Sequence, residues 1–421
     1  MAGAGERRIW TRCSVAVAVA VMLAGVPRSA AAAPPIDVAT TAHRGAAAMA
    51  PENTHAGFDY ARHTRAEFIE IDVQLSADRV PVLVHDATLA RTTNAIDVFP
   101  DRESYRVGEF TWAELQQLDA GSWYHPDFAG ERIPRLEEVI VHARSGAGFN
   151  IELKDPAASP GVEQIVADVL AADDRWHALN RRGGLVVSSF DLESLATFHA
   201  LRPDVPVSGI GVVPRDDAAL ATYATWMDSW ATNYRTMDPA DVVRVQAAGL
   251  KLIVYTVSSV DPMRQMIDLG VDGIVTDVPQ VLQRVKFGFE PLPDARGLVV
   301  DHVLADAPGS DLTFDAGEYV ALRNTTDRPI DVDGWFLLDA VANRLDLGPG
   351  YVIPPGGTLQ VHTGGGNNAG NRYFNDFGRN VLNNDGDSVA VFTPERRLVE
   401  LHAYYPCTAG KPCPTSPPWA P

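Results

Sequence analysis

Phe68-Ile69-Glu70-Ile71-Asp72-Val73-Gln74-Leu75-Ser76-Ala77-Asp78-Arg79-Val80-Pro81-Val82-Leu83-Val84-His85-Asp86 is the stretch on which the fold turns. Its first half alternates, so Ile69, Ile71 and Val73 share one face of a strand while Glu70 and Asp72 share the other. A second β-like run, Pro81 to His85, follows too soon for a helical crossover. A parallel neighbour needs a dozen or more connecting residues, so the pair is predicted to be an antiparallel hairpin. With Asp78-Arg79 as a two-residue turn, Ala77 pairs with Val80 and Asp72 falls opposite His85. The hairpin thereby returns His85 to the C-terminal end of the strand that carries the two carboxylates.

Outward from this stretch, residues 39 to about 286 alternate short β-rich runs with longer helical patterns, the rhythm of an α/β fold with a parallel sheet. The predicted strands are Ala39 to His43, Phe68 to Val73, Phe149 to Leu153 and Leu185 to Ser189. Pro206 to Ile210, Trp230 to Asn233, Leu252 to Thr256 and Gly273 to Thr276 follow. This set closes a TIM-type (β/α)8 barrel, with the hairpin as an insertion after its second strand, and active sites of such barrels lie at the strands' C-terminal ends. After Phe289 the pattern changes. Glu290-Pro291-Leu292-Pro293 reads as a linker, and beyond it short alternating runs are separated by Gly, Asn, Asp and Pro clusters, as in an all-β sandwich. The expected organisation is a signal peptide over 1–33, the barrel over 38–289 and a linker over 290–297. A sandwich over 298–405 and a Pro-rich tail over 406–421 complete it.

The formal net charge of -19 and pI near 4.9 give no support to a nucleic-acid groove or a basic membrane patch. A phosphate-bearing substrate would have to be drawn in by a local cation or a few Lys and Arg. Arg7, Arg8 and Arg12 precede an uncharged run from Ser14 to Val26 and small residues from Ser29 to Ala33, the layout of a secretory signal peptide. Secretion is expected, with no transmembrane segment, since the run is too short to span a bilayer. Cys13 precedes that run, which argues against a lipid anchor. Cys407 and Cys413 are expected to close a small disulfide loop in an oxidising compartment, with the tail loosely held outside it.

The chemistry-bearing residues gather at the predicted C-terminal rim. Two carboxylates side by side on one strand face, Glu70 and Asp72, either end a solvated strand or share a cation. Glu152, at the end of the next barrel strand, completes an all-oxygen set that suits one divalent cation, Ca2+ or Mg2+, better than Zn2+. Lys154 either meets a phosphate oxygen or pairs with Glu152 or Asp155. His43 and His85 are suited to general acid-base work beside a metal. Asp86 is expected to be structural, because adjacent strand residues face opposite ways.

Taken together, His43-Arg44-Gly45, Pro51-Glu52-Asn53-Thr54, Glu70-Ile71-Asp72-Val73, Val84-His85-Asp86 and Arg91-Thr92-Thr93 resemble glycerophosphodiester phosphodiesterases. Ile133-Pro134-Arg135-Leu136-Glu137-Glu138, Glu152-Leu153-Lys154, Ser189-Phe190 and Asp272-Gly273-Ile274-Val275-Thr276-Asp277-Val278-Pro279 extend the resemblance from about residue 40 to 288. It implies metal-dependent hydrolysis of a small glycerophosphodiester to an alcohol and sn-glycerol 3-phosphate. His43 and His85 would be the acid-base pair, Glu70, Asp72 and Glu152 the metal ligands, and Arg44 and Lys154 the phosphate contacts. Where the family usually has Trp-Thr-Val-Asn, this chain has Tyr255-Thr256-Val257-Ser258, so Tyr255 would be the wall beside the glycerol moiety. Phe190 either forms another part of that wall or packs in the barrel.

Glu318-Tyr319-Val320-Ala321-Leu322-Arg323-Asn324, Ile330-Asp331-Val332-Asp333-Gly334-Trp335, Pro354-Pro355-Gly356-Gly357 and Leu382-Asn383-Asn384-Asp385-Gly386-Asp387-Ser388-Val389 resemble a lamin-tail domain, which implies an Ig-like sandwich. Trp335 is then a core residue, and Asp385 and Asp387 belong to a tight turn rather than a Ca2+ site. The sandwich is expected to dock on wall polymer or another protein, and its deletion after residue 295 to leave turnover near normal. The closest rival is a phospholipase D of the sphingomyelinase type. It is disfavoured by the polar, acidic segment Asn94 to Tyr105 where such enzymes need an apolar lip. An adhesion module with a vestigial barrel is disfavoured by the presence of all five central residues.

Overall fold

The computed structural model describes residues 37–418. Eight parallel strands form the first sheet: β1 (Ala39–Ala42), β2 (Phe68–Leu75), β4 (Gly148–Leu153), β5 (Leu185–Ser189), β6 (Val207–Ile210), β7 (Ser229–Asn233), β8 (Lys251–Tyr255) and β9 (Gly273–Thr276). Because β1 pairs with both β2 and β9, the sheet closes into a barrel. Ile69, Ile71 and Val73 of β2 are fully buried and join Phe58 and Ala61 of α1 (His55–Thr64) in the main core, which leaves Glu70 and Asp72 to the other face of the strand.

The hairpin strand β3 (Pro81–Leu83) runs antiparallel to β2, but one residue out of the predicted register. Leu75 pairs with Pro81 and Val73 with Leu83, and the Val84 N–H donates to the Asp72 carbonyl at 3.1 Å. Asp72 therefore stands opposite Val84, not His85. The loop has three residues because Arg79 adopts the left-handed conformation (φ 65°), with its N–H donating to the Ser76 carbonyl at 2.9 Å. The long excursion that follows, up to β4, is stabilised by its own apolar cluster of Val84, Leu89, Val107, Phe110, Leu115 and neighbours.

The C-terminal part is all β. One four-stranded sheet has the order β10 (Leu298–Leu304), β11 (Tyr319–Asn324), β16 (Thr358–His362), β17 (Arg372–Phe374). The other has the order β14 (Arg344–Asp346), β13 (Phe336–Leu338), β18 (Asp387–Phe392), β19 (Leu398–Tyr404), and the short strands β12 (Ile330–Asp331) and β15 (Val352–Ile353) pair separately. Trp335, Leu337, Val389, Val391 and Val399 fill the space between the sheets. Asp385 is exposed while Asp387 is buried and accepts from Asn383 Nδ2 at 2.8 Å, so the two carboxyls part company.

Strand β18 is buried on both faces, which a half-solvated sandwich strand would not be. Its alternate residues Ala390 and Phe392, with Phe336, Leu338, Leu398 and Leu401, belong to the same apolar cluster as the barrel. Ser259 Oγ donates to the Leu401 carbonyl at 3.2 Å, and Arg396 pairs with Asp127 at 3.4 Å. Barrel and sandwich thus belong to one compact unit. Nor is the tail loose over its described residues: Cys407 and Cys413 are joined in a disulfide, Cys413 N–H donates to the Val303 carbonyl and Tyr405 N–H to that of Pro414, both at 2.8 Å. Among the described residues no helix is long and apolar enough to cross a membrane. The predicted signal peptide, 1–33, lies outside the described residues.

Candidate active site

Every predicted catalytic, metal and phosphate residue sits at the C-terminal mouth of the barrel. After β1 the chain turns sharply through His43-Arg44-Gly45, with Arg44 at φ 49° and Gly45 at φ 85°. A Cβ on Gly45 would meet Gly57 C and Phe58 Cδ1 at 2.8 Å, so only glycine lets α1 approach this turn. The turn aims the Arg44 backbone N–H at Glu70 Oε2 (2.8 Å) and its guanidinium at Glu52 (3.3 Å) and Asp72 (3.6 Å).

Each histidine has one ring nitrogen occupied by a carboxylate. His43 Nδ1 lies 2.7 Å from Asp277 Oδ1, and Asp277 Oδ2 accepts from Ser258 Oγ at 2.8 Å. Burial works to raise the Asp277 carboxyl, but His43, Ser258 and Arg44 outweigh it and hold it below the usual carboxylate range. His85 Nδ1 lies 2.7 Å from Asp86 Oδ1. Asp86 is therefore an orienting partner, contrary to the expectation from strand alternation, because β3 ends at Leu83 and no pleat separates residues 85 and 86. Asp86 is itself pulled low, against burial, by hydrogen bonds from Arg91 and His85. In both rings the carboxylate meets Nδ1, in the manner of an imidazole held by a carboxylate, and Nε2 lies on the other side of the ring.

The carboxylate cluster follows from sheet register. Asp72 pairs with Glu152 across β2 and β4, and Glu70 stands two residues before Asp72 on the same face. Oxygens of Glu70, Asp72 and Glu152, all buried, lie within 4.8 Å of one another. Burial, then the charges of Asp72 and Glu152, push the Glu70 carboxyl well above its ordinary value, and burial and Asp72 raise Glu152. Asp72 stays low despite burial because His85, Lys154, Arg44 and the Asn53 amide (2.8 Å) favour its anion. Lys154 bridges Glu152 at 2.9 Å and Asp72 at 3.5 Å. Even so, the raised Glu70 and Glu152 carboxyls mark a site where the positive charge present does not offset three buried carboxylates. An all-oxygen donor set with that deficit fits a hard divalent cation. A second cluster of Glu52, His85 and Asp86 needs no ion, since the Arg91 guanidinium already sits between its two carboxylates.

His43, Arg44, Glu70, His85, Glu152 and Lys154 line a cavity of about 250 Å3, open to solvent, together with Phe190 and Tyr255. Phe190 is 54% exposed, which excludes a packing role in the barrel. Its ring meets Tyr255 edge-on at 6.1 Å and lies 5.7 Å from Lys154 Nζ. Burial and the nearby Glu152 push the Tyr255 hydroxyl up to about 12, so it stays protonated. A larger open groove of about 960 Å3 on the sandwich, beside Trp335 and Arg296, holds no comparable convergence of acid-base groups. The motifs that contain Glu52, Asn53, Arg91 and Asp277 assign these residues no task, because their spacing in the chain carries no signal that they fold onto His43, Asp72 and Asp86.

Comparison with known proteins agrees with this geometry. Residues 43–281 match the glycerophosphoryl diester phosphodiesterase family, and residues 292–406 match the Lamin Tail Domain. A glycerophosphodiester phosphodiesterase of Bacillus subtilis is 31% identical over 267 residues, covering 61% of this chain and 88% of the relative. One from Caldanaerobacter subterraneus is 35% identical over 246 residues, covering 57% and 94%. Among solved structures, a phosphodiesterase of Oleispira antarctica in complex with the product sn-glycerol-3-phosphate is similar with a TM-score of 0.50 and 29% identity, covering 58% of this chain and 95% of that one.

Proposed function

The chain belongs to the glycerophosphoryl diester phosphodiesterase family, and from that premise we propose that it hydrolyses small glycerophosphodiesters to an alcohol and sn-glycerol 3-phosphate. The observation that carries this reading is the convergence of His43, His85, Glu70, Asp72 and Glu152 around one cavity at the barrel mouth. That a similar enzyme was solved with sn-glycerol-3-phosphate supports the substrate class.

Glu70, Asp72 and Glu152 would hold one divalent cation, Ca2+ or Mg2+, whose chemistry when bound is to offset phosphate charge and make a nearby hydroxyl more acidic. Arg44 and Lys154 face the cavity as fixed positive charges and stabilise the charge that builds on the phosphoryl oxygens. His43 and His85 exchange protons at Nε2, one accepting from the attacking hydroxyl and the other donating to the departing alkoxide. Asp277 and Asp86 keep each ring in the tautomer and orientation this requires, and stabilise the imidazolium that forms. Phe190 and Tyr255 give the glycerol moiety an apolar wall with one hydroxyl on it.

The test is turnover of a glycerophosphodiester panel against sphingomyelin vesicles, with sn-glycerol 3-phosphate as the measured product. Activity should vanish with chelator and return with Ca2+ or Mg2+. Cleavage of sphingomyelin with no turnover of any glycerophosphodiester would overturn the reading in favour of the phospholipase D alternative. A Glu70→Ala, Asp72→Ala protein with full activity would overturn the metal assignment. Phosphorus NMR distinguishes a cyclic glycerophosphate, formed by the substrate's own hydroxyl, from direct attack by water. Secretion is part of the same proposal, supported by the Cys407–Cys413 disulfide. N-terminal sequencing of protein recovered from the medium should begin near residue 34, and an intact Met1 would refute it.

A further inference from the structure

Arg91 has five N–H groups and all five are committed. Nε and Nη2 donate to Asp86 at 2.7 and 2.9 Å, and Nη1 and Nη2 donate to Glu52 at 2.8 Å each. The remaining Nη1 hydrogen goes to the backbone carbonyl of Val341 at 3.1 Å, and Val341 belongs to the sandwich. A planar guanidinium cannot turn one bond without turning the others, so what holds Nη1 also sets the plane presented to Asp86. Asp86 is the partner of His85.

The turn that supplies this carbonyl is itself tightly specified. The buried Asp339 accepts from the N–H groups of Val341 (3.0 Å) and Asn343 (2.7 Å) and from Asn343 Nδ2 (2.6 Å). Ala340 N–H donates to the buried Asp387 at 3.2 Å. Ala342 takes the left-handed conformation (φ 59°), with its N–H donating to the Asp339 carbonyl at 3.1 Å. It is buried within the barrel's own apolar cluster. Nearby, Arg235, one residue past the barrel segment Asn233-Tyr234, has its Cδ 3.1 Å from where a Cβ on Gly386 would stand. The sandwich edge is thus seated on the barrel's catalytic loops, not tethered to them by a linker.

We infer that the sandwich is a working part of the catalytic scaffold: the Val341 carbonyl fixes Arg91, which fixes Asp86 and through it the orientation of His85. Arg91 and Val341 are positioning groups; neither lines the substrate cavity. The inference rests on the acid-base role of His85 given above. It replaces the expectation that removing the sandwich leaves turnover intact.

The test is Ala342→Pro in the full chain. Proline demands φ near -65° and has no N–H, so the Val341 carbonyl must swing away. Expected is a roughly tenfold fall in kcat with KM within about twofold, the size of effect when one hydrogen bond to a charged group is lost. Ala342→Gly keeps the left-handed turn and should keep kcat. In a His85→Ala background, assayed on a diester with an activated leaving group, Ala342→Pro should cost less than about twofold, because the residue it acts through is gone. Should Ala342→Pro not fold, Asp339→Ala releases the turn without adding a ring and carries the same expectation. Wild-type kcat in these turn variants, alongside a crippled His85→Ala enzyme, overturns the link alone. So does an equal loss in both backgrounds. A His85→Ala enzyme with wild-type kcat on glycerophosphocholine, whose leaving group is not activated, overturns the role of His85 itself, and the inference with it.

Discussion

Replacing Asp277 by Asn keeps the size and shape of the side chain, removes its charge and turns one of its two acceptor oxygens into an amide donor. Asp277 is buried, lies 2.7 Å from His43 Nδ1, and does not line the cavity. When His43 carries its proton during turnover, the imidazolium and carboxylate charge centres are about 4 Å apart. At an effective dielectric near 20 that attraction is worth about 4 kcal/mol. A neutral amide recovers part of it through a residual hydrogen bond of about 1 kcal/mol. The net loss in the transition state is then about 2–4 kcal/mol, or about 30- to 1,000-fold in kcat. An amide N–H turned toward Nδ1 would add the cost of the wrong tautomer. KM should stay within about twofold, since no substrate contact is lost. The assay is steady-state release of sn-glycerol 3-phosphate from glycerophosphocholine, with circular dichroism and thermal melting to establish that the variant is folded. A folded Asp277→Asn enzyme with kcat within threefold of the parent would refute the orienting role of Asp277.

Three further outcomes follow from the same geometry. On a glycerophosphodiester with an activated leaving group, whichever of His43→Ala and His85→Ala removes the general acid should recover most of its lost kcat, whereas the base variant should not; equal failure of both on such a substrate would contradict the division of roles. Phe190→Ala removes an exposed aromatic wall beside Lys154 and should raise KM about 2- to 10-fold, as expected for an aromatic contact, with Tm almost unchanged; an unchanged KM would remove Phe190 from the substrate site. Glu400 sits on β19 where burial, then Asp261 of the barrel, raise its carboxyl to about 7. Because that folded value lies above the unfolded one near 4.5, the stability it contributes is full at pH 4.5 and lost as pH rises to about 7. Glu400→Gln should therefore raise stability by about 1–2 kcal/mol at pH 8 relative to the parent, the full shift being discounted because the residue is partly exposed, and should bring no such gain at pH 4.5. Equal effects on thermal melting at both values would exclude this assignment.

Much of the barrel was legible because local physics decides it. Alternation in Phe68–Val73 and short β-rich runs between helical stretches give parallel strands, and eight of them close. That His43, Glu70, Asp72 and Glu152 reach one mouth was legible as well, since strand ends in a barrel point the same way whatever the loops do, whereas His85 reaches it on the hairpin. The register of the hairpin was not, because it depended on whether Arg79 would accept a left-handed backbone, which only the surrounding contacts can enforce. Nor was the partnership of His85 with Asp86, which required knowing that β3 stops at Leu83.

The seating of the sandwich was half legible. The run Asp387-Ser388-Val389-Ala390-Val391-Phe392 is apolar at successive positions, a sign of burial on both faces, yet nothing local says that the second face belongs to the barrel. Sequence by itself determined two folds, their order and the rim where the carboxylates and imidazoles meet, because side-chain periodicity and strand direction are local properties of the chain. Tertiary structure alone decided which carboxylate orients which histidine, and that a carbonyl 250 residues away completes the shell of Arg91. Those pairings join residues through space, and a hydrogen bond leaves no trace in the spacing of the residues that make it.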